Sequence, residues 1–279
     1  MKPTLLKLGT KTYELTTRAL VVGILNRTLD SFYDQGRYFL WDAFLKRAEQ
    51  LVEEGADILE IGGIKAGPGV EISEEEELER VVPAVSAICD RFEIPVSVDT
   101  WKATVADESF KAGAVLGNDI SGFSDPKYLD VAARRHASVV ACHIRLAPRI
   151  PDPSPFYDDV VAEVSSFLSA LAKRAIDAGV DRQRIVLDAA LDLGKTAEQS
   201  LCLLKATHTF VDLGYPVMVA ASNKGFLGEL LGLDINARRE ASLVAAGLGI
   251  VRGARLLRVH DVVGTKRVVE MMQAILEAN

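Results

Sequence analysis

The chain has 279 residues, 49% of them hydrophobic and 25% charged, with a formal net charge of −7. That length suits one large α/β domain or two small ones, with enough apolar residues for a full core. The acidic balance argues against a general nucleic-acid or membrane-surface binder, though an anion could still sit in a locally basic pocket.

Residues 3–17 read as a short hairpin turning at Gly9-Thr10, placed to cover one end of whatever follows. Beyond it, apolar runs rich in β-branched residues recur at 20–25, 57–61, 95–98, 114–117, 138–142, 184–187, 216–220 and 254–257. Continuous apolar strands of this kind are covered on both faces, as in parallel sheets. Helical patterns separate them, at 41–55, 74–92, 101–112, 126–136, 157–179, 197–213, 236–247 and 264–278. Gly55, Gly113, Gly179 and Gly214 stand where a helix would close in the left-handed conformation. Residues 145–156 contain Pro148, Pro151, Pro153 and Pro155, so they form a loop. No repeat, low-complexity stretch or domain boundary interrupts the series. Eight strand–helix alternations predict a single domain over 1–279, a closed (β/α)8 TIM barrel with an N-terminal hairpin; an open doubly wound sheet is the alternative.

Cys89, Cys142 and Cys202 are odd in number and widely spaced, which suggests neither a disulfide framework nor a zinc site. The opening residues hold no apolar run long enough for a signal peptide or a membrane span. A reducing, cytoplasmic setting is expected.

A barrel enzyme draws its site from the C-terminal ends of its strands. Here those ends carry Asn26, Asp99, Asn118, His143, Asp188, the run Ser222-Asn223-Lys224, and Arg258-Val259-His260. A polar residue after a strand usually just opens a loop. So many of them around one axis predict a binding mouth. Asp99, Asn118 and Asp188 offer acceptors and an amide donor, which suit a flat heterocycle edged with N–H groups. Lys224 and Arg258 suit a phosphate or a ring carbonyl. His260 serves either as a donor to an anion or as a structural histidine.

The motifs carrying these residues resemble those of dihydropteroate synthases. Val22-Gly-Ile-Leu-Asn26 followed by Asp30-Ser-Phe32 resembles the family's opening signature. So do Gly55-Ala-Asp-Ile58 with Ile61-Gly-Gly63, Val96-Ser-Val-Asp99-Thr100 and Asn118-Asp-Ile120. Gly194-Lys-Thr196, Ala221-Ser-Asn-Lys224 and Arg258-Val-His-Asp261 continue the series. The matches are collinear from about residue 20 to about 262. The resemblance implies a homodimer that joins 6-hydroxymethyl-7,8-dihydropterin pyrophosphate to p-aminobenzoate. It implies that Asp99, Asn118, Asp188 and Lys224 hold the pterin, with Asp99 and Lys224 taking the catalytic roles. It implies that Asn26 helps position Mg2+, and that Arg258 and His260 face the pyrophosphate.

The sequence departs from the family pattern where the second substrate is handled. After Gly63 the family has Glu-Ser-Thr-Arg-Pro-Gly, and this chain has Ile64-Lys-Ala-Gly-Pro-Gly69. Ala66 replaces a threonine and Gly67 replaces an arginine; Lys65 and Arg27 are the nearest cations able to compensate. Leu193 replaces the phenylalanine that walls the aminobenzoate ring, and Ser222-Asn-Lys-Gly225 replaces Ser-Arg-Lys-Ser. The pterin half is kept and the other half rewritten. That pattern predicts a pterin-binding paralogue with weak or absent condensation. A fully active synthase, a pterin-binding methyltransferase, a silent regulatory dimer and an enzyme using a different second substrate remain alternatives.

Overall fold

The computed structural model describes residues 4–28, 40–67 and 69–278. Strands β1 (Leu5–Leu8) and β2 (Lys11–Glu14) pair antiparallel around Gly9-Thr10, as the sequence predicts. Eight parallel strands then close on themselves: β3 (Leu20–Asn26), β4 (Ile58–Gly62), β5 (Val96–Asp99), β6 (Leu116–Asp119), β7 (Ser138–Cys142), β8 (Ile185–Asp188), β9 (Val217–Val219) and β10 (Leu256–Val259). They follow chain order, and β10 returns to β3, so the sheet is a barrel and not the open alternative.

Alternation along the strands explains the two apolar layers. Leu20, Val22, Ile58, Leu116, Val140, Val186, Met218 and Leu256 face inward and pack together in the bore. Their neighbours Val21, Leu59, Val98, Val139, Leu187 and Leu257 face outward under the helices. Leu6, Leu8 and Leu15 from the hairpin join the inner cluster, so the hairpin plugs the N-terminal end. Ser138 bonds the Lys7 carbonyl there, and Arg184 Nη2 donates to the Gly9 carbonyl at 2.9 Å.

The outer ring comprises α1 (Trp41–Glu53), α2 (Glu74–Arg91), α3 (Ala103–Lys111), α4 (Tyr128–Arg134), α5 (Val160–Asp177), α6 (Ala197–Lys205), α7 (Thr207–Val211), α8 (Gly225–Leu231), α9 (Arg239–Val251) and α10 (Val262–Glu277). The stretch expected as one helix over 197–213 is two, broken at Ala206, and α8 lies where the sequence pattern placed no helix. Caps fix several helix starts at the mouth. Ser73 accepts from the Glu76 amide, Asp159 from Val161 and Ala162, and Thr196 forms a reciprocal capping box with Gln199. At the opposite end Gly113 closes α3 with φ 114°, and a Cβ there would lie 2.8 Å from the Cys89 sulfur. No described helix is long and apolar enough to cross a membrane.

Candidate active site at the barrel mouth

Strand register brings the strand ends into one ring. Asn26 lies beside Gly62, Gly62 beside Asp99, Asp99 beside Asn118, and Cys142 beside Asp188. Asn26, Asp99, Asn118, Cys142 and Asp188, together with Lys224, Arg258 and His260, line a cavity of about 310 Å³. That is the size of a small-ligand pocket, with convergent polar groups in apolar walls. Ile24, Ile120, Cys142 and Ala220 supply the walls. Lys65, Ala66, Gly67, Leu193 and Ser222 stand on its rim. Ala66, Gly67, Ile120 and Leu193 also border an adjoining cleft of about 220 Å³ beneath the 145–156 loop.

The ring is charged unevenly. Asp188 and Lys224 face one another, and burial raises the acid and lowers the amine while each partner opposes the shift. Arg258 Nη2 lies 2.8 Å from Asp99 Oδ2, and its Nε bonds Glu60. Two buried carboxylates thus share one guanidinium. Burial pushes Asp99 up to about 7 against the attraction of Arg258; Glu60, Glu77 and Asp119 push it the same way as burial. The two carboxylates keep Arg258 charged despite burial. Burial and the cations Arg258, Arg47 and Lys224 push His260 down to about 3, so it meets a ligand as a neutral ring. Its Nδ1 lies 3.1 Å from Ser222 Oγ.

The loops holding this ring are braced by side chains. Lys195, 7% exposed, donates to the Ala190 and Leu193 carbonyls at 2.9 and 2.8 Å. Burial and nearby Lys224 push its amine down to about 7. Asp192 accepts from the Gly225 and Phe226 amides and so caps α8. Arg149, Ala190, Asp192 and Asn223 adopt φ of 69°, 52°, 70° and 58°, backbone strain gathered around one opening.

Three placements differ from the sequence reading. His143 does not join the ring: Cys142 faces the bore, so its neighbour points outward, 4.8 Å from the Phe167 ring and 6.0 Å from Tyr157. Arg27 reaches the Arg80 carbonyl at 2.8 Å, lies 5.0 Å over Trp41 and is not among the residues lining the cavity. Glu60 was missed altogether. It is 1% exposed and holds Arg258, Ser97 and Asn118, and its only sequence signal was one charge inside the run Ile58-Leu-Glu-Ile-Gly62. Asp30 and Phe32 of the opening signature lie outside the described residues.

Among the described residues no group of three or more His, Cys, Asp or Glu could hold a metal ion. The Asn26 amide oxygen is nevertheless a donor of the kind magnesium accepts when a diphosphate supplies further oxygens. Mg2+ commonly takes one or two protein oxygens and completes its shell with phosphate oxygens and water. The Asn26 amide oxygen reaches the rim over Gly62, where a Cβ would approach it to 3.0 Å.

Barrel, mouth and acceptor ring define the class of pterin binding enzymes, whose family model matches residues 22–260. Dihydropteroate synthase of Bacillus subtilis is 41% identical over 261 residues, covering 93% of this chain and 89% of that protein. A Mycobacterium leprae relative named inactive dihydropteroate synthase 2 is 40% identical, covering 92% and 91%. The structure of Yersinia pestis dihydropteroate synthase with a sulfonamide drug superimposes with a TM-score of 0.94 at 35% identity, over 99% and 100% of the two chains. That of the Xanthomonas albilineans synthase with 4-aminobenzoic acid gives 0.91 at 36% identity, over 100% of both. The chain belongs to the dihydropteroate synthase family.

Proposed function

We propose that this chain binds 6-hydroxymethyl-7,8-dihydropterin pyrophosphate in its barrel mouth and condenses it with p-aminobenzoate weakly or not at all. The observation that carries the reading is the uneven preservation of one cavity. Asp99, Asn118, Asp188 and Lys224 converge on it, while Ala66, Gly67 and Leu193 leave its rim without the threonine, arginine and phenylalanine of the family pattern.

In this reading Asp99 and Asp188 accept the ring's N–H donors, and Asn118 and Lys224 complete its edge. Cleavage of the carbon–oxygen bond gives a pterin-methyl cation and a pyrophosphate anion. The Asp99 carboxylate, once free of its proton, opposes the developing positive charge. Arg258 and His260 face the departing anion, the histidine as an N–H donor. Mg2+, held by Asn26, would supply further charge neutralisation on the diphosphate. Gly67 offers that anion nothing, and losing a charge-assisted pair costs about 1.5–3 kcal/mol. Lys65 on the rim favours a second reading, a working synthase in which its amine replaces the arginine. A lysine lacks the planar fork, so the replacement would be partial.

We further propose a cytoplasmic homodimer. Val244, Leu248 and Val251 on α9 and Met271 and Ile275 on α10 are 71, 37, 57, 62 and 51% exposed on neighbouring helices. Apolar exposure of that extent on two adjoining helices suits a second copy.

The deciding experiment is calorimetric titration with the pterin pyrophosphate, paired with pyrophosphate release with and without p-aminobenzoate. Binding with little aminobenzoate-dependent release is expected. Release at the rate of a related active synthase would favour the second reading, and no binding would overturn both.

A further inference from the structure

Glu60 lies below the mouth, 1% exposed, and does not line the cavity. A buried carboxylate is tolerated only when its oxygens are engaged. Here Oε2 accepts from Ser97 Oγ at 3.0 Å and from Asn118 Nδ2 at 3.2 Å, and Oε1 takes Arg258 Nε. Two of these partners, Asn118 and Arg258, line the cavity. A carboxylate can only accept, so it turns the Asn118 amide nitrogen toward itself. Asn118 Oδ1 then faces Cys142, whose sulfur lies 3.4 Å away. With Nε held from below, Arg258 reaches Asp99 through Nη2.

We propose that Glu60 is the positioning residue of this pocket: it anchors Arg258 inside the barrel and fixes the Asn118 amide, so the acceptor edge at Asp99 is set from beneath. The proposal rests on the reading of the cavity as a pterin site. It deepens that reading by making Arg258 a shared group. Glu60 and Asp99 hold the guanidinium against the cavity wall, and a ring that engages Asp99 loosens one of its two anchors. The charged groups facing Asp99 are Glu60 on β4, Arg258 on β10, Asp119 on β6 and Glu77 on α2. Of these, Glu60 is the one that bonds both Arg258 and Asn118.

The test is Glu60→Gln with two readouts. In the ligand-free protein, carbon-13 NMR of the Asp99 carboxyl should show its titration midpoint falling, because a like charge is removed and Arg258 is left to Asp99. In the ligand titration, pterin affinity should drop by about ten-fold or more, as expected when a charge-assisted contact is lost. A lower melting temperature with both readouts unmoved would mean a purely structural role and would overturn the proposal. If Glu60→Gln does not fold, Glu60→Asp takes its place: one methylene shorter, it keeps the charge but withdraws from Arg258, and unchanged affinity there also overturns it. The NMR readout needs no ligand. If the parent protein binds no pterin, the pocket reading fails while the effect of Glu60 on Asp99 is still measured.

Discussion

Asp99→Asn should weaken the ligand and strengthen the fold. Asp99 is 9% exposed and retains its proton up to about pH 7, against 3.8 for a free carboxyl. The folded chain therefore binds an extra proton between about pH 4 and 7, and stability falls as pH rises through that window. Above it the penalty is fully present. Roughly three pH units at about 1.4 kcal/mol each set a ceiling of about 4 kcal/mol. Asp99 interacts strongly with the charged groups around it, Arg258 drawing its carboxyl down and Glu60 pushing it up, so roughly 1–3 kcal/mol is the expected recovery. Asparagine keeps an acceptor for Arg258, carries no charge, and leaves the guanidinium and Glu60 as a one-to-one pair. In urea at pH 8 the variant should be more stable than its parent by that amount, and at pH 4 and below the two should nearly coincide. Calorimetry at pH 8 should give pterin binding about 10–100-fold weaker, since the ring's donors lose a charged acceptor. A variant less stable than its parent at pH 8, with the same slope between pH 4 and 7, would refute the argument that one guanidinium serves two carboxylates.

Rebuilding the altered rim, with residues 64–67 as Glu-Ser-Thr-Arg and Leu193→Phe, should raise aminobenzoate-dependent pyrophosphate release by about ten-fold or more; no gain with pterin binding intact would count against the loop explanation. His143→Phe should leave pterin affinity within about two-fold and stability equal or better, because its Nδ1 is buried without a partner between Tyr157 and Phe167. Asp192→Ala should cost about 0.5–2 kcal/mol in urea unfolding and speed amide exchange over 225–231, where its carboxylate caps α8. Val244→Glu should lower the mass seen in sedimentation from two chains to one; a parent already monomeric at micromolar concentration would remove the basis for the proposed dimer.

The barrel was legible because its signals are periodic. Every barrel strand falls within two residues of an apolar run, and Gly55, Gly113, Gly179 and Gly214 all have positive φ. A residue's place at a strand's end does not say which face of the barrel it takes. The bore is lined by every second residue, so His143, one step beyond Cys142, points the wrong way, and Glu60, two steps before the rim, points inward unseen. α8 escaped notice because Gly225 and Gly232 frame a short segment, and what holds its start is Asp192, far away in sequence. Arg258 was legible as a cation at the mouth, but its attachment to Glu60 and Asp99 depends on barrel closure, which sets β10 beside β3 and across from β4 and β5.

The hairpin that plugs the N-terminal end turns the bore into a cul-de-sac. Leu6, Leu8 and Leu15 pack beneath the apolar side chains that fill the bore, so a ligand lodged deepest at the mouth would arrive first and depart last. A heterocycle seated against Asp188 and Asn118 would be trapped behind anything occupying the rim at Lys65 and Leu193. One mouth would then serve for both entry and exit, and two ligands would have to use it in a set order.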